Sequence, residues 1–264
     1  MKKTGTSAST GARPAAQWQR RLGSALCVAL AAAGLLTQLP ATAGDLGVDP
    51  VLLELSPRQR TVAIKITNSS GQPTAIQTQA VTWSQVDGKD VYTPTKELLV
   101  SPPIVTIAPN SEQIIRVALR RAADSKSELA YRIFLQQLPV PPAPGVQGVQ
   151  VALRIGLPVF VKPQQGKAAP KMVWSAVRMP ENTLKVTMHN QGNAHVQISD
   201  FEFSALGADK PVAGQSGSSY VLAGQTRDWL LKENSAVKTV DGRLRLKAYT
   251  DAGEVDVVLL TGNP

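Results

Sequence analysis

Val149-Gln150-Val151-Ala152-Leu153-Arg154-Ile155-Gly156-Leu157-Pro158-Val159-Phe160 is the stretch on which the reading of this chain turns. Aliphatic side chains fall at Val149, Val151, Leu153, Ile155 and Leu157. Gln150, Ala152, Arg154, Gly156 and Pro158 take the other parity. A β-strand turns successive side chains to opposite faces, so the run reads as a strand with one aliphatic face and one small or polar face. At ~3.3 Å per residue the aliphatic row exceeds about 25 Å. Two readings stand open. The pattern by itself favours a half-buried core strand. The other reading is an edge strand that offers apolar knobs and unpaired backbone to a second protein.

Outward from this stretch the chain looks the same in kind. Short β-rich runs recur at Val62–Thr67, Ala75–Trp83, Ile114–Leu119, Tyr131–Leu138, Leu184–His189, Val196–Phe203, Leu244–Tyr249 and Val255–Leu260. No window after residue 43 sustains an apolar stripe at helical spacing. Asn68-Ser69-Ser70-Gly71, Asp87-Gly88, Asp241-Gly242 and Asp251-Ala252-Gly253 read as hairpin turns. The proline-rich run from Pro139 to Gly145 reads as a stiff loop, since proline lacks the ladder N–H. A polar break from Lys162 to Pro170 reads as a linker. The expected fold class is all-β, with two immunoglobulin-sized sandwiches over residues 44–163 and 164–264.

Of the 264 residues, the first 43 hold five basic and no acidic side chains. The uncharged run Leu22–Leu36 and the triplet Ala41-Thr42-Ala43 follow. That order reads as a secretory signal cut after Ala43, with an apolar core too short to span a bilayer. Removing it leaves 221 residues and lowers the net charge from +9 to +4. The basic balance therefore belongs mostly to the signal, which argues against a nucleic-acid partner. The expected product is exported and not inserted in a membrane after cleavage. Cys27, the sole cysteine, lies in the signal, so the mature chain can form no disulfide and no thiolate metal site.

Catalytic motifs are missing. There is no G-x-S-x-G elbow, P-loop or H-E-x-x-H. His189 and His195 flank an apparent turn, Asn190–Ala194, and read as surface histidines rather than metal ligands. Trp83, Trp174 and Trp229 read as core residues. The chain is expected to be no enzyme, with neither cofactor nor metal.

Several pieces, taken in order, resemble the PapD-like family, the periplasmic chaperones of the chaperone–usher pilus pathway. They are Ile66-Thr67-Asn68, Ser101-Pro102-Pro103 with Ile107-Ala108-Pro109, and Gln113–Val117. Glu128–Leu135 with Leu138-Pro139 follows, and then Leu157–Pro163. Val186–Gly192, Gly224–Trp229 and Thr250–Gly253 are similar to the family's second domain. The resemblance implies an L-shaped or boomerang pair of immunoglobulin-like domains located in the periplasm. It implies pilin or fimbrial subunits and an outer-membrane usher as partners. It also implies that the G strand, here Val149–Leu157, is lent to an incomplete subunit, with Val149, Val151, Leu153 and Ile155 as donors. Donor-strand complementation by pilus chaperones is itself a known recognition mode. Full burial of four such side chains contributes roughly 6–12 kcal/mol before ordering costs.

The match departs from the best-known branch at the cleft. The first strand, Val48–Leu55, holds no basic residue, and the family's cleft lysine falls on Pro158. This is similar to the archaic Csu-type branch. A subunit carboxylate in a cleft needs a charge partner. Arg132, Arg116 and Arg154 are the candidates, Arg132 first because it interrupts an apolar strand. The resemblance further implies interdomain charges at Glu128, Lys162 and Asp251. An exported immunoglobulin-like structural or adhesive surface protein is the alternative function.

Overall fold

The computed structural model describes residues 46–139, 151–208, 210–234 and 242–262. The expected signal peptide, the proline-rich loop beyond Pro139, Val149 and Asp241 lie outside the described residues. Every regular element described is a strand, and no helix there is long and apolar enough to cross a membrane.

Ten strands build the first sandwich: β1 (Leu46–Asp49), β2 (Leu53–Leu55), β3 (Thr61–Asn68), β4 (Thr74–Val86), β5 (Lys89–Pro94), β6 (Leu98–Ser101), β7 (Ile104–Ile107), β8 (Ser111–Leu119), β9 (Leu129–Leu138) and β10 (Arg154–Val161). One sheet runs β1-β3-β8-β6. The other runs β2-β10-β9-β4-β5, with β7 also on β4. The second sandwich holds β11 (Met172–Met179), β12 (Thr183–Asn190), β13 (Val196–Ala205), β14 (Pro211–Val221), β15 (Thr226–Lys232), β16 (Arg243–Thr250) and β17 (Gly253–Leu260). Its sheets run β11-β12-β15 and β14-β13-β16-β17. All these pairings are antiparallel except β2 with β10.

The two-residue period decides what each strand buries. On β9, Tyr131, Ile133 and Leu135 point inward and meet Ile64, Ile66, Ile115 and Val117 of the facing sheet. Leu184, Val186 and Met188 of β12 meet Phe203, Leu244 and Leu246 in the second core, which also takes Trp174 and Trp229. Each such side chain contributes about 1.5–3 kcal/mol by leaving water.

Two buried asparagines do the same job in the two halves. Asn68, at the end of β3, donates through Nδ2 to the carbonyls of Gln72, Ile107 and Ala108. Its Oδ1 accepts from the Ser70 N–H and hydroxyl. Asn190, at the end of β12, donates to Ala194, Val221 and Leu222 and accepts from the Lys171 and Gly192 N–H groups. Each amide plugs a crossing between sheets and satisfies backbone groups that would otherwise be buried bare. This corrects two expectations. Asn68–Gly71 and Asn190–Ala194 are crossovers between sheets, not hairpins. Asp87-Gly88 does close a hairpin, β4 to β5, with φ of 50° and 73°. Asp251-Ala252 closes another, β16 to β17.

The decisive strand begins later than its sequence pattern suggests. The ladder with β9 starts at Arg154, opposite Gln136, preceded by one further bond from Gln137 N to Leu153 O.

Candidate functional site: an open strand edge and the cleft beside it

Strand β10 has β9 on one side for its whole length. On the other side β2 covers only Val159, Phe160 and Val161. Among the described residues no strand pairs with the remainder of that edge. Exposure of the aliphatic row rises steadily along it, from 2% at Leu157, through half-buried Ile155, to 39% at Leu153 and 77% at Val151. Leu157 and Ile155 belong to the first core, while Leu153 and Val151 project past it. Of the four expected donors, then, two are free, Ile155 is shared with the core, and Val149 lies outside the described residues.

The opposite face of the same strands lines the cleft toward the second sandwich. Pro158 stands opposite Arg132, Gly156 opposite Phe134 and Phe160 opposite Ala130. The Arg132 guanidinium lies 4.1 Å from the Trp83 ring centroid and 5.4 Å from that of Tyr92. Its Nη1 donates to the Tyr92 hydroxyl at 2.8 Å, and its Nε is buried without a partner. No carboxylate among the described residues pairs with it in the structure. Burial raises the Tyr92 phenol above its ordinary value, against the lowering effect of Arg132. Arg154 covers the Phe134 ring at 4.0 Å. Gly156 lies beneath this layer: a Cβ there would come within 3.1 Å of Phe134 Cε1 and 3.2 Å of Arg132 Cδ. A side chain at 156 would require Phe134 or Arg132 to give way by a few tenths of an ångström.

Arg116 is elsewhere. It is exposed on β8, in the opposite sheet, between Ala63 and Ser101. The expectation that it anchors a ligand in the cleft is therefore corrected, because β8 turns it outward on the far side of the sandwich.

Apart from Glu128 and Asp251, the joint between the sandwiches is assembled from residues to which the sequence reading gave no interdomain role. Trp83, Phe160 and Leu222 form a buried cluster with Tyr92 and Tyr220 packed on it. Gln85 is buried and bridges the halves. Its Oε1 accepts from Leu222 N at 3.0 Å, and its Nε2 donates to Tyr220 O at 2.8 Å and Asp90 Oδ1 at 2.9 Å. The His195 ring stacks on Phe160 at 3.4 Å and 7°. Its Nδ1 is 2.6 Å from Glu128 Oε1, and its Nε2 is 3.6 Å from Asp251 Oδ2.

Glu128 and Asp251 thus meet through His195. Lys162 does not join them. It pairs with Glu54 at 3.1 Å, since β2 sets Glu54 beside Phe160 on the same edge. His195 is accordingly not a surface turn residue, and Trp83 packs at the joint rather than in a sandwich core. No sequence signal distinguished them, because both lie on the face that a single sandwich would leave to solvent. Beside the joint is a cavity of about 340 Å³ lined by Trp83, Glu97, Glu128, Tyr131 and Leu222. Among the described residues no group of His, Cys, Asp and Glu is placed to hold a metal.

Residues 45–167 match the family model described as pili and flagellar-assembly chaperone, PapD N-terminal domain. The first sandwich is similar to the N-terminal domain of that family of assembly chaperones. No curated protein matches the chain in sequence. Among solved structures, the chain is similar to one from the CsuC–CsuE chaperone–tip adhesion subunit pre-assembly complex of Acinetobacter baumannii archaic chaperone–usher pili. That match has a TM-score of 0.63 at 16% identity and covers 83% of this chain and 100% of the other. A chain of the Salmonella enterica SafA pilin–SafB chaperone complex matches with a TM-score of 0.57 at 16% identity, over 83% and 98%. The Pseudomonas aeruginosa CupB2 chaperone matches with a TM-score of 0.54 at 19% identity, over 82% and 100%. The two sandwiches therefore share the fold of pilus chaperones, the Csu archaic type among them.

Proposed function

We propose that this protein is a periplasmic chaperone that holds an incomplete pilin-type subunit by lending it the open edge of β10, and passes the subunit to an outer-membrane usher. The observation that carries the reading is the pair Val151 and Leu153, exposed in the segment that leads into β10, before the part of its edge that β2 covers. Burying what these two side chains still expose contributes about 2–3 kcal/mol. Ile155 and the backbone of the edge add to that figure.

In this reading Arg132 receives the subunit's terminal carboxylate. An arginine stacked between aromatic rings, with one buried N–H unspent and no acid partner, has capacity for an anion. The charges at Glu128 and Asp251, gathered by His195, hold the second sandwich in place.

The test is co-expression with candidate pilin-type subunits of the same cell envelope, reading soluble subunit and its co-elution with this protein. Val151→Asp with Leu153→Asp is expected to lose the complex while the chaperone keeps its stability, because both positions are exposed. Arg132→Ala is expected to weaken the complex by about 10–100-fold, the net worth of a charge-assisted hydrogen-bonded pair. A complex that survives the double substitution overturns the donor-strand reading. Incorporation of the protein itself into surface fibres would favour a structural or adhesive role instead.

A further inference from the structure

Backbone hydrogen bonds settle which groups of β10 face the open side. Gln137 N donates to Leu153 O at 2.9 Å, so odd-numbered residues of this run exchange with β9. Lys162 N donates to Leu55 O at 2.9 Å, so even-numbered residues turn their N–H and C=O groups the other way. Arg154, Gly156, Pro158 and Phe160 are the even residues of β10. Phe160 falls under β2. No described strand pairs with the outward N–H and C=O groups of Arg154 and Gly156. Pro158 stands between these regions and has no N–H to offer.

The β2 ladder begins immediately after this proline, with Leu53 opposite Val159. Stepping back two residues from Leu53, an N–H at position 158 would face the carbonyl of Val51. Val51 is in fact 67% exposed and outside the ladder. Arg132 is the cross-strand neighbour of Pro158 on β9.

We propose that Pro158 is the register stop of this edge. It ends the β2 ladder from one direction and the ladder of an added strand from the other, so that the added strand closes with its terminal carboxylate level with Arg132. This rests on the donor-strand reading above and adds to it a residue that fixes where the partner strand ends. A strand slipped by two residues toward β2 would meet a position with no donor and then the occupied edge of Phe160. A strand slipped the other way would leave the carboxylate short of Arg132. An edge that offered N–H groups throughout would permit both slips.

The experiment is residue-resolved amide hydrogen exchange on the whole protein, free and in complex with a co-expressed pilin-type subunit. Pro158→Ala and Pro158→Val are compared with the wild type, and the valine keeps bulk at this buried position. In either free variant the new amide at 158 should exchange about tenfold or more slowly than that of Arg154, as the β2 ladder lengthens to Val51. An amide at 158 that exchanges as fast as that of Arg154 overturns the proposal. In the wild-type complex the Arg154 and Gly156 amides should gain protection while those of Leu53 and Leu55 stay unchanged. Protection at Arg154 and Gly156 together with displacement of β2 refutes the stop and leaves the donor-strand reading intact. A complex that protects neither amide refutes both.

Discussion

Replacing Gln85 by leucine should loosen the second sandwich from the first without disturbing either core. Leucine fills the volume but cannot bond. The Leu222 N–H then loses its acceptor at a buried site, which costs about 1–3 kcal/mol. The Tyr220 carbonyl keeps a 3.3 Å bond from Arg227, and Asp90 keeps a 3.0 Å bond from Trp83 Nε1. Those two losses are therefore smaller, about 0.5–1.5 kcal/mol each. The two losses that cross the joint, at Leu222 and Tyr220, sum to about 1.5–4.5 kcal/mol, a factor of about 10 or more in the ratio of docked to undocked sandwiches. Denaturant unfolding reports it, because Trp174 and Trp229 sit in the second core and Trp83 sits at the joint. Gln85→Leu should split one transition into two, with Trp83 fluorescence changing first. Solution scattering should register a larger radius of gyration before either core melts. Unchanged midpoints together with a superimposable scattering curve would show that the apolar cluster alone sets the joint.

Asn190→Ala leaves three carbonyls and two N–H groups without their shared amide and should destabilise the second sandwich by about 2–5 kcal/mol in thermal unfolding. Asn68→Ala should do the same to the first, and a loss below about 1 kcal/mol at both sites would mean that water replaces the plug. Burial first, then the hydrogen bond to Glu97, raises the Tyr131 phenol well above its ordinary value. A raised folded value contributes stability that is complete below the unfolded pKa of ~10 and is lost as pH climbs through the folded one. Tyr131→Phe should therefore flatten the alkaline loss of stability above pH ~10, and an unchanged alkaline profile would place that loss elsewhere.

The sandwich architecture was legible because strand period and turn chemistry are local properties. Tyr131–Leu138 reads as a strand from its own alternation, and Asp87-Gly88 as a hairpin from its own dihedral needs. What a turn connects is not local. Asn68-Ser69-Ser70-Gly71 has hairpin composition, but its asparagine bonds to carbonyls near residue 107, some forty positions away. The cleft was half legible. Arg132 stood out as a charge in an apolar strand, and the structure sets it in the cleft. Arg116 had the same credentials and faces the other way, since only the pairing of sheets tells the two apart. Gln85 and His195 gave no signal at all. A glutamine at the end of one strand and a histidine near a turn acquire their roles only when a second domain packs against the first.

The centre of that joint is closed to solvent. Gln85 binds backbone groups and the Asp90 carboxylate, and Trp83, Phe160 and Leu222 exclude water around it. Ions screen interactions between charges and leave uncharged contacts almost untouched. Exposed pairs such as Lys162 with Glu54 weaken as ionic strength rises, while the buried amide, the aromatic cluster and the His195–Glu128 contact are screened much less. The angle between the sandwiches, and with it the place of Arg132 in the cleft, therefore rests on contacts that dissolved ions scarcely reach.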